Sequence, residues 1–238
     1  MSIKVGCCGF ARGQKEYFDH FRLVEVQQTF YKPPQVATAR RWRQQAPPGF
    51  EFTLKAWQLI THPPSSPTYR RAGLEIPASH RDSYGLFRPT DQVWQAWRRT
   101  EEIAEALEAR VIVFQCPASF SDLEDNIRNM SQFFRAIDRK GFLFAWEPRG
   151  QWARETIRGL CQELGLVHCV DPFEAEPLSP GMRYLRLHGG PGYRHHYSDE
   201  ELGWLRGRLG EGENYVLFNN LSMYEDALRF MEQLKGRP

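Results

Sequence analysis

The most distinctive hydrophobic pattern lies at residues 141–152, where an apolar run ends in a carboxylate, a proline and a guanidinium. Side chains of a strand alternate between two faces. The two faces here consist of Phe142, Phe144 and Trp146, and of Leu143, Ala145 and Glu147. Both are too apolar to meet water, which is typical of a parallel sheet covered on both sides. Pro148 cannot donate a hydrogen bond to a neighbouring strand, so we expect Glu147 and Arg149 at the carboxyl end.

Seven further apolar runs predict strands, and amphipathic or capped segments predict helices between most of them. The predicted strands are 3–8, 23–31, 50–57, 110–116, 141–147, 166–170, 182–187 and 215–218. The predicted helices are 16–21, 36–45, 91–109, 121–140, 153–164, 198–209 and 224–234. This alternation favours a TIM (β/α)8 barrel over an open doubly wound sheet. With no repeat or linker in view, residues 1–238 are predicted to form a single domain.

One segment, residues 62–90, interrupts this order between the third and fourth predicted strands. Regular periodicity disappears there, and the tract PPSSP, scattered glycines and four arginines replace it. These arginines are Arg70, Arg71, Arg81 and Arg88. Connections longer than about 12–15 residues are usually functional lids or disordered segments. The segment therefore predicts a long excursion at the carboxyl end of strand three.

The overall charge favours neither nucleic acid nor membrane as a partner, since the formal net charge is only +2. The basic residues are nonetheless uneven, with 25 arginines and 6 lysines. The five cysteines are an odd number and lie in or near apolar runs, which favours buried free thiols in a reducing compartment. We find no secretory signal and no apolar run of about 20 residues. A cytoplasmic protein outside the membrane is predicted.

Polar and charged side chains recur where the predicted strands end. The candidate catalytic residues are Glu25, Lys55, Glu147 and His188. The candidate substrate-binding residues are Thr29, Tyr31, His62, Gln115, Arg149, Trp152, Asp171, Arg186, Asn219 and Asn220. In a barrel these strand ends meet at one mouth. Burying so many polar groups is costly, which favours a pocket for a polar ligand.

The residue types suggest several kinds of chemistry. Glu147 is expected to act as a general base or a metal ligand, while Arg149 or Arg186 binds an anionic group through paired hydrogen bonds. Lys55 is either a nucleophilic amine or the electrostatic partner of a carboxylate. His188 could shuttle a proton or bind a metal. The alternative is an internal network in which Glu25 and Glu147 pair with these cations and hold the barrel together.

A divalent metal is a weaker hypothesis. Its ligands would be Glu25, Glu147, Asp171 and His188, around an ion that activates water. The sequence contains neither HxH nor HExxH, and the adjacent pair His195 and His196 falls in a predicted loop. His62 is expected either to orient the excursion or to react, and Trp152 to stack on a sugar or base.

Seven segments together resemble a known family. They are, in chain order, VGCCGF, VEVQQTFY, FTLKAWQLITH, VFQCPASF, FAWEPRGQW, RLHGG and VLFNN. They resemble the YecE-like family, TIM-barrel proteins of uncharacterised function. The resemblance implies a barrel with polar residues at its carboxyl face. By analogy with apurinic-endonuclease-like and xylose-isomerase-like barrels, it also implies a metal or phosphate site. Gln27 and Phe10 depart from the family pattern, where asparagine and tryptophan are common.

The leading functional prediction is an enzyme, a hydrolase or lyase with or without a divalent metal. Its substrate would be a small anionic molecule, phosphorylated or derived from nucleic acid, bound at the carboxyl face. One alternative is a nucleic-acid-binding protein that uses the arginines of residues 62–90 together with aromatic side chains. Another is a non-catalytic scaffold whose barrel mouth docks a protein.

Overall fold

Eight parallel strands form a closed barrel in the computed structural model, which describes residues 1–236. The strands are β1 Ser2–Cys7, β2 Leu23–Val26, β3 Glu51–Lys55, β4 Val111–Gln115, β5 Leu143–Glu147, β6 Val167–Val170, β7 Arg183–Leu187 and β8 Glu213–Phe218. Each strand pairs with the next in the chain, and β8 pairs with β1 to close the ring. The predicted (β/α)8 barrel is confirmed, while the division into a single domain stays a prediction.

Helices follow most strands and surround the barrel. They are α1 Gln14–His20, α2 Gln28–Tyr31, α3 Val36–Gln45, α4 Gln58–Thr61, α5 Pro67–Arg71, α6 Asp91–Leu107, α7 Glu124–Ala136, α8 Arg154–Leu164, α9 Asp199–Gly207 and α10 Met223–Lys235. Two 3-10 turns lie at Ala78–Ser83 and Pro191–Tyr193. No helix within residues 1–236 is long and apolar enough to cross a membrane.

The predicted strand at residues 23–31 is wrong in its second half. β2 ends at Val26, and the short helix α2 follows it. The Thr29 hydroxyl lies 2.9 Å from the Val26 carbonyl oxygen and 2.7 Å from that of Lys55, and its one hydrogen is donated to this pair of acceptors. The contact joins the ends of β2 and β3, so tertiary contacts override the local alternation. Thr29 and Tyr31 therefore do not continue the face of β2 that carries Glu25.

The excursion predicted between β3 and β4 is present, but it is ordered and anchored. It contains α5 and the first 3-10 turn, and its end folds back on α4. The amides of Gly85 and Phe87 donate to Leu59 and Ile60 at 2.8 and 2.9 Å. The Phe87 ring is buried against Phe120 and three other phenylalanines. The C-terminal end of the segment is thus fixed by backbone hydrogen bonds and an aromatic cluster.

The predicted alternation along β5 is confirmed by the packing. Phe144 and Trp146 are buried in the large core between strands and helices, whereas Ala145 lies in a smaller apolar cluster inside the barrel. Glu147 has the same parity as Ala145 and enters the barrel interior at its carboxyl end. The five cysteines are buried free thiols, as expected. The strand pattern alone thus positions Glu147.

The close approach of β1 and β2 yields a stability prediction. A Cβ added at Gly6 would lie 2.2 Å from the Leu23 carbonyl oxygen, which cannot move without disturbing β2. We expect Gly6→Ala to lower the free energy of unfolding by about 1–3 kcal/mol, measured by urea denaturation. Gly159, exposed on α8, has no atom within 4 Å of such a Cβ and is the control. Gly159→Ala should be neutral or stabilising, and equal losses in both variants would contradict the argument.

Candidate active site

A buried guanidinium, that of Arg186, lies at the centre of the strand ends. Its Nη1 donates a hydrogen bond to Glu147 Oε2, and its Nη2 lies 3.0 Å from Glu25 Oε1 in an ion pair. Burial opposes the charge on Arg186, but the two carboxylates outweigh it and raise its pKa well above the ordinary value. Three strands, β2, β5 and β7, are thereby linked through one side chain.

Glu25 is fully engaged below this guanidinium. The Tyr184 hydroxyl donates to Oε2 at 2.8 Å, and the Gln27 amide donates to Oε1. Glu25 has no exposed surface. Both carboxylate oxygens are therefore held by protein groups, as the predicted internal network requires.

The second carboxylate oxygen of Glu147, Oε1, has its own set of partners. Arg149 donates to Oε1 through Nε, at 3.0 Å, and Nη2, at 2.8 Å. His188 Nε2 lies 3.0 Å from the same oxygen. Burial acts to raise the Glu147 pKa, but Arg186, Arg149 and His188 together hold it well below the ordinary carboxyl value. Glu147 is thus ionised across the neutral pH range.

Both ring nitrogens of His188 have polar partners. Asn219 Nδ2 lies 3.0 Å from Nδ1. Nε2 lies 3.0 Å from Glu147 Oε1 and 2.8 Å from Arg149 Nη2. The His188 backbone amide donates to Asp171 Oδ2 at 2.7 Å, and Asp171 Oδ1 accepts from the Phe173 amide at 3.0 Å. Asp171 therefore orients the ends of β6 and β7 through their backbones.

Lys55 occupies a different environment from the other cations. Its Nζ donates to Gln115 Oε1 at 2.9 Å and lies 3.9 Å from the centre of the Phe30 ring. No carboxylate within residues 1–236 lies in ion-pairing distance of Nζ, so the predicted pair with Glu25 or Glu147 is not formed. Burial, followed by the charge of Arg186, lowers the Lys55 pKa to about 7.

His62 packs against the same phenylalanine. Its ring is 4.9 Å from the Phe30 ring, edge to face, and its Nδ1 is 2.8 Å from the Thr61 hydroxyl. Burial, followed by the charges of Lys55 and Arg149, lowers the His62 pKa to about 3. The imidazole is therefore neutral at the root of the excursion.

Three other predicted site residues make contacts with neighbouring segments of the protein; they are Trp152, Asn220 and Tyr31. Trp152 Nε1 donates to the Phe120 carbonyl at 2.7 Å, and its ring packs on Trp146. Asn220 Nδ2 donates to the His195 carbonyl at 2.7 Å and to Asp226 Oδ2 at 2.6 Å, which fixes the loop after β8. Tyr31 packs edge to face on Phe30 rather than reaching the central guanidinium.

A cleft of about 580 Å³ opens over the ends of β5, β6 and β7. Its walls include Glu147, Arg149, Trp152, Asp171 and His188. This volume is in the range of small-molecule sites. A slightly larger groove, about 630 Å³, lies on the excursion and contains none of the strand-end residues. The cleft over β5 to β7 is therefore the one that the charged strand ends reach.

Sequence reasoning missed three aromatic residues of this region. Phe30 contacts both Lys55 and His62, and Tyr184 donates a hydrogen bond to Glu25. Tyr193 is 43% exposed, with a left-handed backbone (φ 60°) and its ring 6.1 Å from that of His188. Tyr184 was detectable because it has the parity of Arg186 on β7. Phe30 and Tyr193 were not, since each depends on how a turn folds.

The four predicted metal ligands do not form one set. Only Glu147 and His188 are in contact, while Glu25 holds Arg186 and Asp171 binds backbone amides. Across residues 1–236, no group of three or more His, Cys, Asp or Glu side chains is arranged to hold a metal ion. These residues do not fit the predicted divalent metal site.

Fold and site together define a (β/α)8 barrel with a charged network at its carboxyl face. The family model described as "Protein of unknown function DUF72" matches residues 11–237. The chain therefore belongs to the DUF72 family, which includes YecE, and the predicted resemblance is confirmed.

Solved structures show the same architecture. A DUF72 family protein from Enterococcus faecalis V583 has 18% identity and a TM-score of 0.73, covering 99% of this chain and 98% of that one. A DUF72 family protein from Thermotoga maritima MSB8 has 22% identity and a TM-score of 0.68, covering 99% and 100%. SacUVDE has 7% identity and a TM-score of 0.60, covering 99% and 98%. These likenesses establish the fold alone. Comparison with curated proteins gave no match.

The central ion pairs predict a large effect of removing Arg186. Arg186→Met would leave Glu25 and Glu147 buried without their shared cation, so we expect unfolding to become easier by about 3–5 kcal/mol. Urea denaturation at neutral pH measures the change. Arg12 forms a half-exposed pair with Glu225, and Arg12→Ala should cost less than about 1 kcal/mol. Similar losses in the two variants would show that Arg186 does not hold the site together.

Proposed function

We propose that the protein is an enzyme that acts on a small anionic substrate in the cleft over β5 to β7. The observation that carries the proposal is the convergence of Glu147, Arg149 and His188, joined by contacts of 2.8 to 3.3 Å, on the wall of this cleft. Carboxylate, guanidinium and imidazole are the groups that bind an anion and transfer a proton. A hydrolase or a lyase fits this set.

Arg149 is the proposed anion-binding residue. Its side chain is 32% exposed, unlike that of Arg186 at 1%. Glu147 engages Nε and Nη2, while Nη1 has no hydrogen-bond acceptor within residues 1–236. Burial acts against its charge, but Glu147 raises the Arg149 pKa, so the guanidinium stays charged. A phosphate or carboxylate in the cleft would supply the missing acceptor.

His188 is the proposed proton-transfer group. His188 lines the cleft, and Glu147, 3.0 Å from its Nε2, would stabilise the imidazolium that forms when the ring takes up a proton. Glu25 and Arg186 act as positioning residues, because they hold Glu147 from below without reaching the cleft. The internal network and the candidate site are therefore parts of one arrangement.

Binding of inorganic phosphate tests the anion site. We expect phosphate to raise the melting temperature of the wild-type protein, and Arg149→Ala to weaken its binding by about tenfold or more, since a charged hydrogen bond contributes about 1.5–3 kcal/mol. Isothermal titration calorimetry gives the affinity. The matched control is Arg135→Ala, which removes an exposed arginine of α7 that pairs with Glu163. Unchanged phosphate affinity in Arg149→Ala would contradict the assignment.

A second candidate function, nucleic-acid binding, is favoured by one feature of the excursion. Arg70 and Arg81 are exposed and line its groove of about 630 Å³. Arg88 is instead engaged, with Asp82 at 3.7 Å and the Tyr84 carbonyl at 2.7 Å. Of the four arginines that the sequence suggested, Arg70 and Arg81 line the groove without an ion-pair partner within residues 1–236, and Arg71 is exposed next to Arg70 in the chain.

Salt dependence separates this function from the first. If the groove binds single-stranded DNA, affinity should fall steeply with salt, and the double variant Arg70→Glu, Arg81→Glu should reduce both the affinity and the slope by about two phosphate contacts. Fluorescence anisotropy with a labelled oligonucleotide measures both. Arg135→Glu controls for general charge. No salt-dependent binding at low ionic strength would exclude the nucleic-acid function.

A further inference from the structure

Lys55 is the one cation of the strand ends that lacks a carboxylate partner within residues 1–236. Arg186 and Arg149 both contact Glu147, whereas Lys55 Nζ contacts an amide oxygen and an aromatic face. Lysine is 4% exposed here, on the last residue of β3. A desolvated amine beside other cations is the setting in which lysine acts as a nucleophile.

Gln115 connects this amine to the proposed anion site. Its Oε1 lies 2.9 Å from Lys55 Nζ and 3.3 Å from Arg186 Nη1. On the sheet, Gln115 pairs in register with Glu147, which lines the cleft. Lys55 and Arg186 therefore share one acceptor, the side-chain carbonyl oxygen of Gln115, and Arg186 in turn contacts Glu147 on the cleft wall. A ligand carbonyl that displaced the Gln115 side chain would meet Nζ at the same place.

Burial is the largest cause of the lowered Lys55 pKa. The charges of Arg186 and Arg149 act in the same direction, and those of Glu147 and Glu25 act against it. Both carboxylates are themselves paired with Arg186. His62, which also packs on Phe30, is neutral, since its pKa is about 3. The lowered pKa, about 7, makes the neutral amine more accessible at neutral pH than it is in an ordinary lysine, which is almost fully charged there.

We propose that Lys55 forms an imine with the carbonyl carbon of a small aldehyde or ketone whose anionic group is bound by Arg149. The inference rests on the proposed function and names its substrate class. Lys55 Nζ attacks the carbonyl carbon and forms a C–N bond. Both amine hydrogens move to the carbonyl oxygen, which leaves as water, and a C=N bond remains. The imine withdraws electrons from the adjacent C–H or C–C bond, which selects a lyase-type reaction over hydrolysis.

Reductive trapping tests the imine directly. The wild-type protein is incubated with glycolaldehyde phosphate, and sodium cyanoborohydride supplies the hydride that converts the imine to a stable secondary amine. Peptide mapping by mass spectrometry then compares Lys55 with Lys32, an exposed lysine. We expect Lys55 to be labelled about tenfold faster than Lys32 near pH 7, and its rate to level off above about pH 7, whereas ordinary lysines continue to gain reactivity up to about pH 10.

Two variants and a second probe complete the test. Lys55→Arg should abolish the adduct on that peptide while Lys32→Arg leaves it, and the wild-type mapping stands even if Lys55→Arg fails to fold. Uncharged glycolaldehyde should label Lys55 more slowly, and inorganic phosphate should compete only with the phosphorylated probe.

The failures of the two proposals are distinguishable. Phosphate binding without a Lys55 adduct would overturn the imine and leave the proposed function standing. An adduct at Lys55 that is indifferent to phosphate, to the charge of the probe and to Arg149→Ala would overturn the anionic substrate class.

Discussion

The arrangement of the barrel mouth depends on the burial of one guanidinium between two carboxylates. Arg186 is fully buried, so bulk solvent cannot hydrate its charge. The charge is stabilised instead by the two carboxylates, Glu25 and Glu147. The three residues come from β2, β5 and β7, and their pairing joins strands that are not adjacent in the barrel. Tyr184 and Gln27 donate hydrogen bonds to Glu25, and Arg149 and His188 contact Glu147. Stability and the candidate chemistry thus share the same ionic contacts.

The same network explains why Lys55 differs from its neighbours. Glu25 and Glu147 both pair with Arg186, and Lys55 has no carboxylate in ion-pairing distance within residues 1–236. Its Nζ contacts the Phe30 ring and the Gln115 amide oxygen instead. The same ion pairs that hold the strand ends together thus leave Lys55 without an ionic partner among these residues. The internal network and the candidate site therefore share residues.

Membership of the DUF72 family places these residues in a fold that many unrelated activities share. The likeness to SacUVDE, at 7% identity, concerns the path of the chain and not the side chains at the mouth. Function must therefore be argued from Glu147, Arg149, His188 and Lys55 themselves. Their distances and burial favour anion binding with proton transfer, and the excursion carries a separate groove with its own arginines.

The amino-acid sequence by itself determined the barrel and the parity of its strands, because apolar alternation and chain breakers act locally. The run ending at Glu147 is sufficient to place that carboxylate inside the barrel and Trp146 outside it. Which strand ends meet was decided only by the tertiary structure, since Arg186 contacts residues 161 and 39 positions earlier in the chain. The same holds for α2, where the Thr29 hydroxyl reaches the carbonyl of Lys55, and for Lys55 itself, which contacts Gln115 rather than a carboxylate. Local periodicity does not specify which side chains from distant strands form ion pairs. That depends on how far each side chain reaches across the barrel.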